Sequence, residues 1–420
     1  MQEIKNLVLH FSLKYVGKHP EAKRFGVFSF CHLTYSFDIV IIKSSTRKKV
    51  ARISFSEVKK NLAFGCMRLK MEDGKVHYGE FCKMIDAFLD AGFNYFDTAH
   101  GYIGGQSETS IRDCLSARHK REEFILANKL SGNFFKTADD ILPLFESQLA
   151  LCGVEYFDFY LFHSLNKHNY PHYKNCNAFE QVKKLKEQGK VRHIALSFHD
   201  TADVLDMILS EQPDIEAVQL QFNYLDSDSP TVQSLACYEV AVKYGKQVMV
   251  MEPVKGGTLA KLPDEARKVV SQVYDGSDAS FAIRYAASFP NVFMVLSGMG
   301  TCEMMDDNIS AMRDFVPFTK EEFDAAYKAR DIIREVTQIG CTSCDYCAEV
   351  CPKHIGISKI FTAYNSYLAA KASRDDTIKA LPSEGGKLGD CIKCSKCEKI
   401  CPQALKIPEL LGNIKNELYW

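Results

Sequence analysis

Leu62-Ala63-Phe64-Gly65-Cys66-Met67-Arg68-Leu69 decides between two folds. The run 62–66 is short and continuously apolar, which suits a strand buried on both faces of a parallel sheet. The residues after it discriminate. A doubly wound dinucleotide-binding sheet needs a glycine-rich phosphate loop directly after its first strand. Phe64 to Leu69 contains a single glycine and is not such a loop. Working outward, comparable apolar runs recur at 93–97, 124–128, 157–162, 192–197, 217–221, 247–251 and 292–296. Amphipathic helical patterns separate or follow them, near 80–91, 108–117, 138–152, 177–189, 200–210, 232–244, 279–288 and 303–314. Eight strand–helix repeats over 61–315 predict an α/β fold of the (β/α)8 TIM-barrel type, which typically uses about 250 residues.

The composition fits that reading. Hydrophobic residues make up 46% and charged residues 25%, so the chain has enough apolar material to fill a core and is not disordered as a whole. Lys+Arg is 52 against Asp+Glu 53, and this balance gives no basic excess for neutralising nucleic-acid phosphates. Residues 1–58 stand apart as an N-terminal extension. Its aromatic stretch 25–42 is barely long enough to span a bilayer and contains His32 and Asp38, so no membrane segment is expected. The expected organisation is this extension, a barrel over 59–318, a linker helix in 319–337 (Lys320 to Val336) and a cysteine-rich domain over 338–420. Eight of the sixteen cysteines, Cys31, Cys66, Cys82, Cys114, Cys152, Cys176, Cys237 and Cys302, are scattered without pattern. With no export signal in view, they point to a reducing, cytoplasmic setting.

The other eight are patterned. Cys341, Cys344, Cys347 and Cys351-Pro352 read C-x2-C-x2-C-x3-C-P, and Cys391, Cys394, Cys397 and Cys401-Pro402 repeat the spacing. This is the bacterial ferredoxin run, in which the fourth cysteine ligates the other cluster. The expectation is therefore two [4Fe-4S] clusters in a small α+β ferredoxin-like domain. One is held by Cys341, Cys344, Cys347 and Cys401, the other by Cys391, Cys394, Cys397 and Cys351. Structural zinc is the competing reading of paired C-x2-C motifs, but it needs one set of four ligands rather than a duplicated run.

If 61–315 is a barrel, its chemistry belongs at the C-terminal ends of strands. Asp97, Tyr102, Lys129 and His163 lie at or just beyond three consecutive ends. Singly, they have bland readings: Asp97 a helix cap, Lys129 a solvated strand end, His163 a satisfied core histidine. Together they fit into longer motifs. Phe96-Asp97-Thr98-Ala99-His100-Gly101-Tyr102, Ala127-Asn128-Lys129-Leu130 and Tyr160-Leu161-Phe162-His163 resemble the signatures of the aldo-keto reductase family. Met251-Glu252-Pro253-Val254-Lys255-Gly256-Gly257 and Ser297-Gly298-Met299 resemble its cofactor-side loops. With the cysteine tail, the chain is similar to iron-sulfur members of that family.

The resemblance implies a tetrad of Asp97, Tyr102, Lys129 and His163. Tyr102 would give a proton to the alkoxide that hydride addition creates, with Lys129 lowering its pKa, Asp97 holding Lys129, and His163 orienting the carbonyl oxygen. It also implies NADP or NAD as cofactor, with Ser197 and Gln219 at the nicotinamide carboxamide and Ser297, Gly298 and Asn308 at the pyrophosphate and adenine end. Met251 stands where the family often stacks an aromatic ring on nicotinamide, and Met304 where many members place an arginine for the 2′-phosphate. Met67 and Phe198 are candidate pocket walls. The implied activity interconverts a small carbonyl and an alcohol. Nicotinamide moves two electrons and each cluster moves one, so a flavin mediator or a redox partner protein enters the expectation. The alternative is an electron carrier or redox sensor built on a catalytically idle barrel.

Overall fold

The structure, a computed structural model, describes residues 55–336, 339–368 and 372–419; residues 1–54 of the extension lie outside the described residues. Eight parallel strands close a barrel: β1 Leu62–Gly65, β2 Tyr95–Asp97, β3 Ile125–Leu130, β4 Phe157–Leu165, β5 Val191–Phe198, β6 Ala217–Gln221, β7 Gln247–Met251 and β8 Val292–Ser297. Each strand pairs with its sequence neighbours, and β1 closes the ring on β8 through the register Phe64↔Ser297.

Successive side chains of a strand point to opposite faces, and this sorts the apolar residues into two layers. Ala63, Tyr95, Ala127, Phe159, Leu161, Ala195, Ala217 and Met249 fill the barrel interior. Leu62, Phe64, Phe96, Leu126, Tyr160, Leu196, Val218 and Val250 face outward into the layer shared with the helices. Phe55 and Val58, assigned from sequence to the extension, join the interior cluster. Phe55 sits 4.9 Å from the Phe159 ring and 4.8 Å from the Phe293 ring.

The helices follow the expected spacing to within a few residues, with one local difference. The stretch read as a helix over 108–117 is an α-helix, Gln106–Ile111, that runs into a π-turn, Arg112–Ser116. Apolar periodicity over so few residues does not separate the two hydrogen-bonding patterns. Caps are legible where the side chain is right. Ser277 accepts from the Ser280 N–H at 2.9 Å and starts helix Asp278–Ala287. A Ser277→Ala change is expected to cost about 1 kcal/mol and to lower Tm by about 2–4 °C in calorimetry.

Helix Lys320–Val336 leads to the tail. The tail packs helices Ile357–Leu368 and Ile407–Leu418 around its own core of Ile355, Phe361, Leu388, Leu411 and Ile414. Its β part, among the described residues, is one parallel bridge, Ile355↔Gly386. The duplication of the cysteine runs extends to the backbone. Left-handed residues fall at Ser343 and Lys393, Asp345 and Ser395, His354 and Ala404, the same places in both runs. Among the described residues, no helix is long and apolar enough to cross a membrane.

Candidate active site and iron-sulfur sites

Alternation that places Ala127 and Leu161 inside the barrel also places Lys129 and His163 inside, two residues further on. Asp97, Ser197, Gln219 and Met251 occupy the same interior positions at the C-terminal ends of β2, β5, β6 and β7. Lys129 is fully buried. Its ammonium donates to the Asp97 carboxylate at 2.6 Å and to the Thr98 carbonyl at 2.6 Å. Gln219 donates to the second Asp97 oxygen at 3.3 Å. Tyr102 follows Gly101, whose φ of +91° is a backbone turn that a side chain would oppose. The Tyr102 ring lies 4.9 Å from the Lys129 ammonium and 5.9 Å from the His163 imidazole, measured to ring centroids. The structure therefore brings all four expected tetrad residues together. Ser131, which the sequence did not single out, lies 2.6 Å from His163 Nδ1.

The electrostatics differ from the expectation at one point. Burial pushes the Tyr102 phenol well above its usual pKa, and the Asp97 charge adds to the rise. The Lys129 ammonium, 4.9 Å from the ring centroid, gives its hydrogen bonds to Asp97 and Thr98. Burial likewise pushes the Asp97 carboxyl up and the Lys129 ammonium down, each partner opposing the other's shift. Burial, then Lys129, holds His163 well below its usual value, so its imidazole is neutral.

The expected cofactor residues divide into two groups. Ser197, Gln219 and Met251 share the interior rim with the tetrad. The Ser197 hydroxyl accepts from the Ser164 N–H at 2.7 Å. Ser297 faces the other way, and its hydroxyl accepts from Asn308 in helix Cys302–Arg313 at 2.7 Å. The Arg68 side chain lies across Gly298. Phe198 belongs to the outer apolar layer rather than to a pocket wall, because its parity is opposite to that of Ser197. Met67 is half-buried and Met304 is exposed.

The eight tail cysteines surround two small cavities of equal volume, about 20 Å³ each, as a duplicated motif requires. Cys341, Cys344, Cys347 and Cys401 line the first; Cys351, Cys391, Cys394 and Cys397 line the second. The fourth cysteine of each run thus lies with the other run. The left-handed residues inside each run form the kind of turn whose N–H groups make an anion-binding concavity, and the Ser343 N–H points at Cys341 Sγ, 3.4 Å away. These donors fit a thiolate-bound iron-sulfur cage.

The first cysteine run rests on the barrel mouth. The Thr342 carbonyl accepts from Arg68 at 3.0 Å. A Cβ on Gly256 would fall 2.1 Å from that same oxygen. Buried Gln403, two residues after Cys401, exchanges hydrogen bonds with Gln221 at 2.9 and 3.1 Å and accepts from Lys255 at 3.1 Å. Lys255 in turn pairs with Asp226 at 2.6 Å. Burial pushes the Tyr346 phenol well above its usual pKa, and Tyr102 across the junction adds to the rise. Burial pushes the Glu252 carboxyl up to about 7, and Glu252 in turn helps raise the Cys344 thiol. The contacts that join the barrel to the tail were not legible in sequence, because their partners are far apart in the chain.

Two family models match the two parts of the chain. The model of the Aldo/keto reductase family matches residues 61–331, and that of the 4Fe-4S dicluster domain matches residues 340–407. An uncharacterised oxidoreductase of Bacillus subtilis is 23% identical over 60% of this chain and 86% of its own length. An aldo-keto reductase of Mycolicibacterium smegmatis is 26% identical over 50% of this chain and 71% of its own. Among solved structures, the holo form of an aldo-keto reductase from Bacillus halodurans superposes with a TM-score of 0.55 at 22% identity, covering 67% of this chain and 95% of that one. An aldo-keto reductase from Klebsiella pneumoniae in complex with NADPH gives 0.53 at 17%, covering 64% and 95%. The closed parallel barrel, the convergent strand-end residues and the duplicated cysteine runs thus agree with the family matches: the chain belongs to the aldo/keto reductase family and carries a 4Fe-4S dicluster domain behind its barrel.

Proposed function

We propose that this oxidoreductase interconverts a small carbonyl and an alcohol using NADP or NAD, and that its tail holds two [4Fe-4S] clusters with crossed ligands. The observation that carries the first part is the buried Lys129–Asp97 pair at 2.6 Å, set beneath Tyr102 and His163 at the barrel mouth. A nicotinamide bound at the rim of Ser197, Gln219 and Met251 supplies or accepts the hydride, with Ser297, Gly298 and Asn308 toward its phosphate end. Ser131 donates to Nδ1 of neutral His163, which leaves Nε2–H free to donate to the carbonyl oxygen and orient it. Tyr102, protonated throughout the physiological range, gives its proton to the alkoxide oxygen as it forms. Lys129 and Asp97 fix the polar floor on which Tyr102 sits. In the tail, Cys341, Cys344, Cys347 and Cys401 hold one cluster, and Cys351, Cys391, Cys394 and Cys397 the other. One-electron chemistry at the clusters and two-electron chemistry at the barrel would need a mediator such as a flavin to meet; without one the clusters serve a redox partner.

The test is anaerobic titration of the full chain with NADH, NADPH, FMN and FAD. Thermal shift reads binding, and nicotinamide absorbance reads turnover of a panel of aldehydes and ketones. The reading expects a raised Tm with at least one nicotinamide and carbonyl-dependent oxidation of it. No shift and no oxidation with either nucleotide would remove the hydride reading and favour the electron-carrier alternative.

A further inference from the structure

The two cysteine cavities differ in what surrounds them. The first is lined by Thr342 and Gln403, both buried and both bonded to the barrel. The second has exposed residues in its wall. Among its lining residues, Ile392 is 58% exposed, and Cys394 and Lys353 are exposed as well. Exposed lysines belong to the segments that line it or flank them in sequence: Lys353, Lys387, Lys393, Lys396 and Lys399. Four carboxylates lie on the same segments: Glu384 and Glu409 are exposed, and Asp390 and Glu398 are engaged. Asp390 accepts from the Lys387 N–H, and Glu398 pairs with Lys406 at 2.6 Å. Among the described residues, none of those five lysines forms an ion pair, whereas many of the barrel's exposed lysines do. Five unpaired ammonium groups on the segments beside a large exposed apolar side chain make a face that is apolar at its centre and basic at its rim. That arrangement matches the general anatomy of a transient protein interface.

We infer that this face docks a small acidic one-electron carrier protein, which exchanges electrons with the cluster held by Cys351, Cys391, Cys394 and Cys397. The inference rests on the two-cluster reading above. The cavity with the exposed wall is the port, and the other cavity, against the barrel mouth, is the next station. In each encounter the reduced carrier gives up one electron and the cluster at the port gains one, with no bond made or broken. The basic rim steers an acidic partner into contact and penalises a basic one, so its effect is on association rate and on salt dependence. Weak, fast-exchanging contact of this kind needs little buried area.

The experiment uses the iron-loaded full chain and a plant-type [2Fe-2S] ferredoxin, an acidic protein of low potential, as the probe. Stopped-flow absorbance follows electron transfer from the reduced probe at several ionic strengths. The wild-type rate should fall steeply with added salt. The triple variant Lys393→Glu/Lys396→Glu/Lys399→Glu should be slower by about tenfold or more at low salt, with its salt dependence flattened. Lys75→Glu/Lys190→Glu/Lys328→Glu, the same charge change on the barrel, should leave the rate close to wild type. The EPR spin count after exhaustive chemical reduction verifies that each variant keeps its clusters. Should the first triple variant lose them, Lys353→Glu/Lys387→Glu, outside the second cysteine run, carries the same expectation. Intact clusters with an unchanged rate and salt slope would overturn the docking face and leave the cluster reading standing. A wild-type chain without cluster signals would overturn both.

Discussion

Tyr102→Phe is expected to lower carbonyl reduction by about 10²–10⁴-fold while leaving the protein folded. The loss comes from removing the one proton donor whose ring stands over the Lys129–Asp97 pair and faces His163. Stability should hardly change. Among the described residues the Tyr102 hydroxyl has no hydrogen-bond partner, so the phenylalanine leaves nothing buried and unpaired. The pH profile gives a second readout. Burial raises the Tyr102 pKa, so the phenol carries its proton below and through the ordinary titration range near 10. Wild-type reduction should therefore show no loss of this donor as pH approaches that range. Turnover in Tyr102→Phe within a fewfold of wild type would mean that another group delivers the proton.

A second large effect is expected at Gly256, where the barrel and the tail are closest. Its φ is +62°, and an added Cβ would stand 2.1 Å from the Thr342 carbonyl oxygen and 2.7 Å from the carbonyl carbon. Both obstacles are backbone and cannot rotate aside. Gly256→Ala should cost about 1–2 kcal/mol for the left-handed conformation and about 1–3 kcal/mol more for the overlap. Relief comes most simply from lifting the tail loop off the mouth. Gly257→Ala is the matched control. Its φ is +103°, and nothing lies within 4 Å of the added carbon, so it carries the backbone cost alone. Hydrogen exchange should show residues 340–346 losing protection in Gly256→Ala and keeping it in Gly257→Ala. Equal protection in the two would mean that the tail is not seated on this loop.

The parts of this protein that follow from local rules were legible in its sequence. The apolar runs marked all eight strands, and their length together with the missing phosphate loop selected the barrel. Asp97, Lys129 and His163 stood out because they end strands, and period-two alternation then carried them inside. The cysteine spacing named both cavities and the crossing between them. What escaped depends on tertiary placement. Ser131 lies one residue beyond the end of β3 and reaches His163 only because β3 and β4 are neighbours. Gln403 meets Gln221 across 182 residues of chain, so no local pattern could link them. The sign of the Tyr102 shift also escaped. It turns on burial, which no local pattern measures, and on the Asp97 charge that adds to it. Ser297 and Asn308 were both read as cofactor contacts by motif; the hydrogen bond between them is a tertiary contact that the motif did not give.

The most direct test of the account is a thiol map of the anaerobically purified protein with iron and sulfide analysis. Wild type should approach about eight iron and eight sulfide, four of each per cluster, with the eight tail cysteines protected from alkylation. In Cys401→Ala, mass spectrometry of alkylated peptides should find Cys341, Cys344 and Cys347 newly reactive and Cys391, Cys394 and Cys397 still protected; Cys351→Ala should give the reverse. Zinc in place of iron, or release of the cysteines in the mutated residue's own run, would contradict the two-cluster, crossed arrangement.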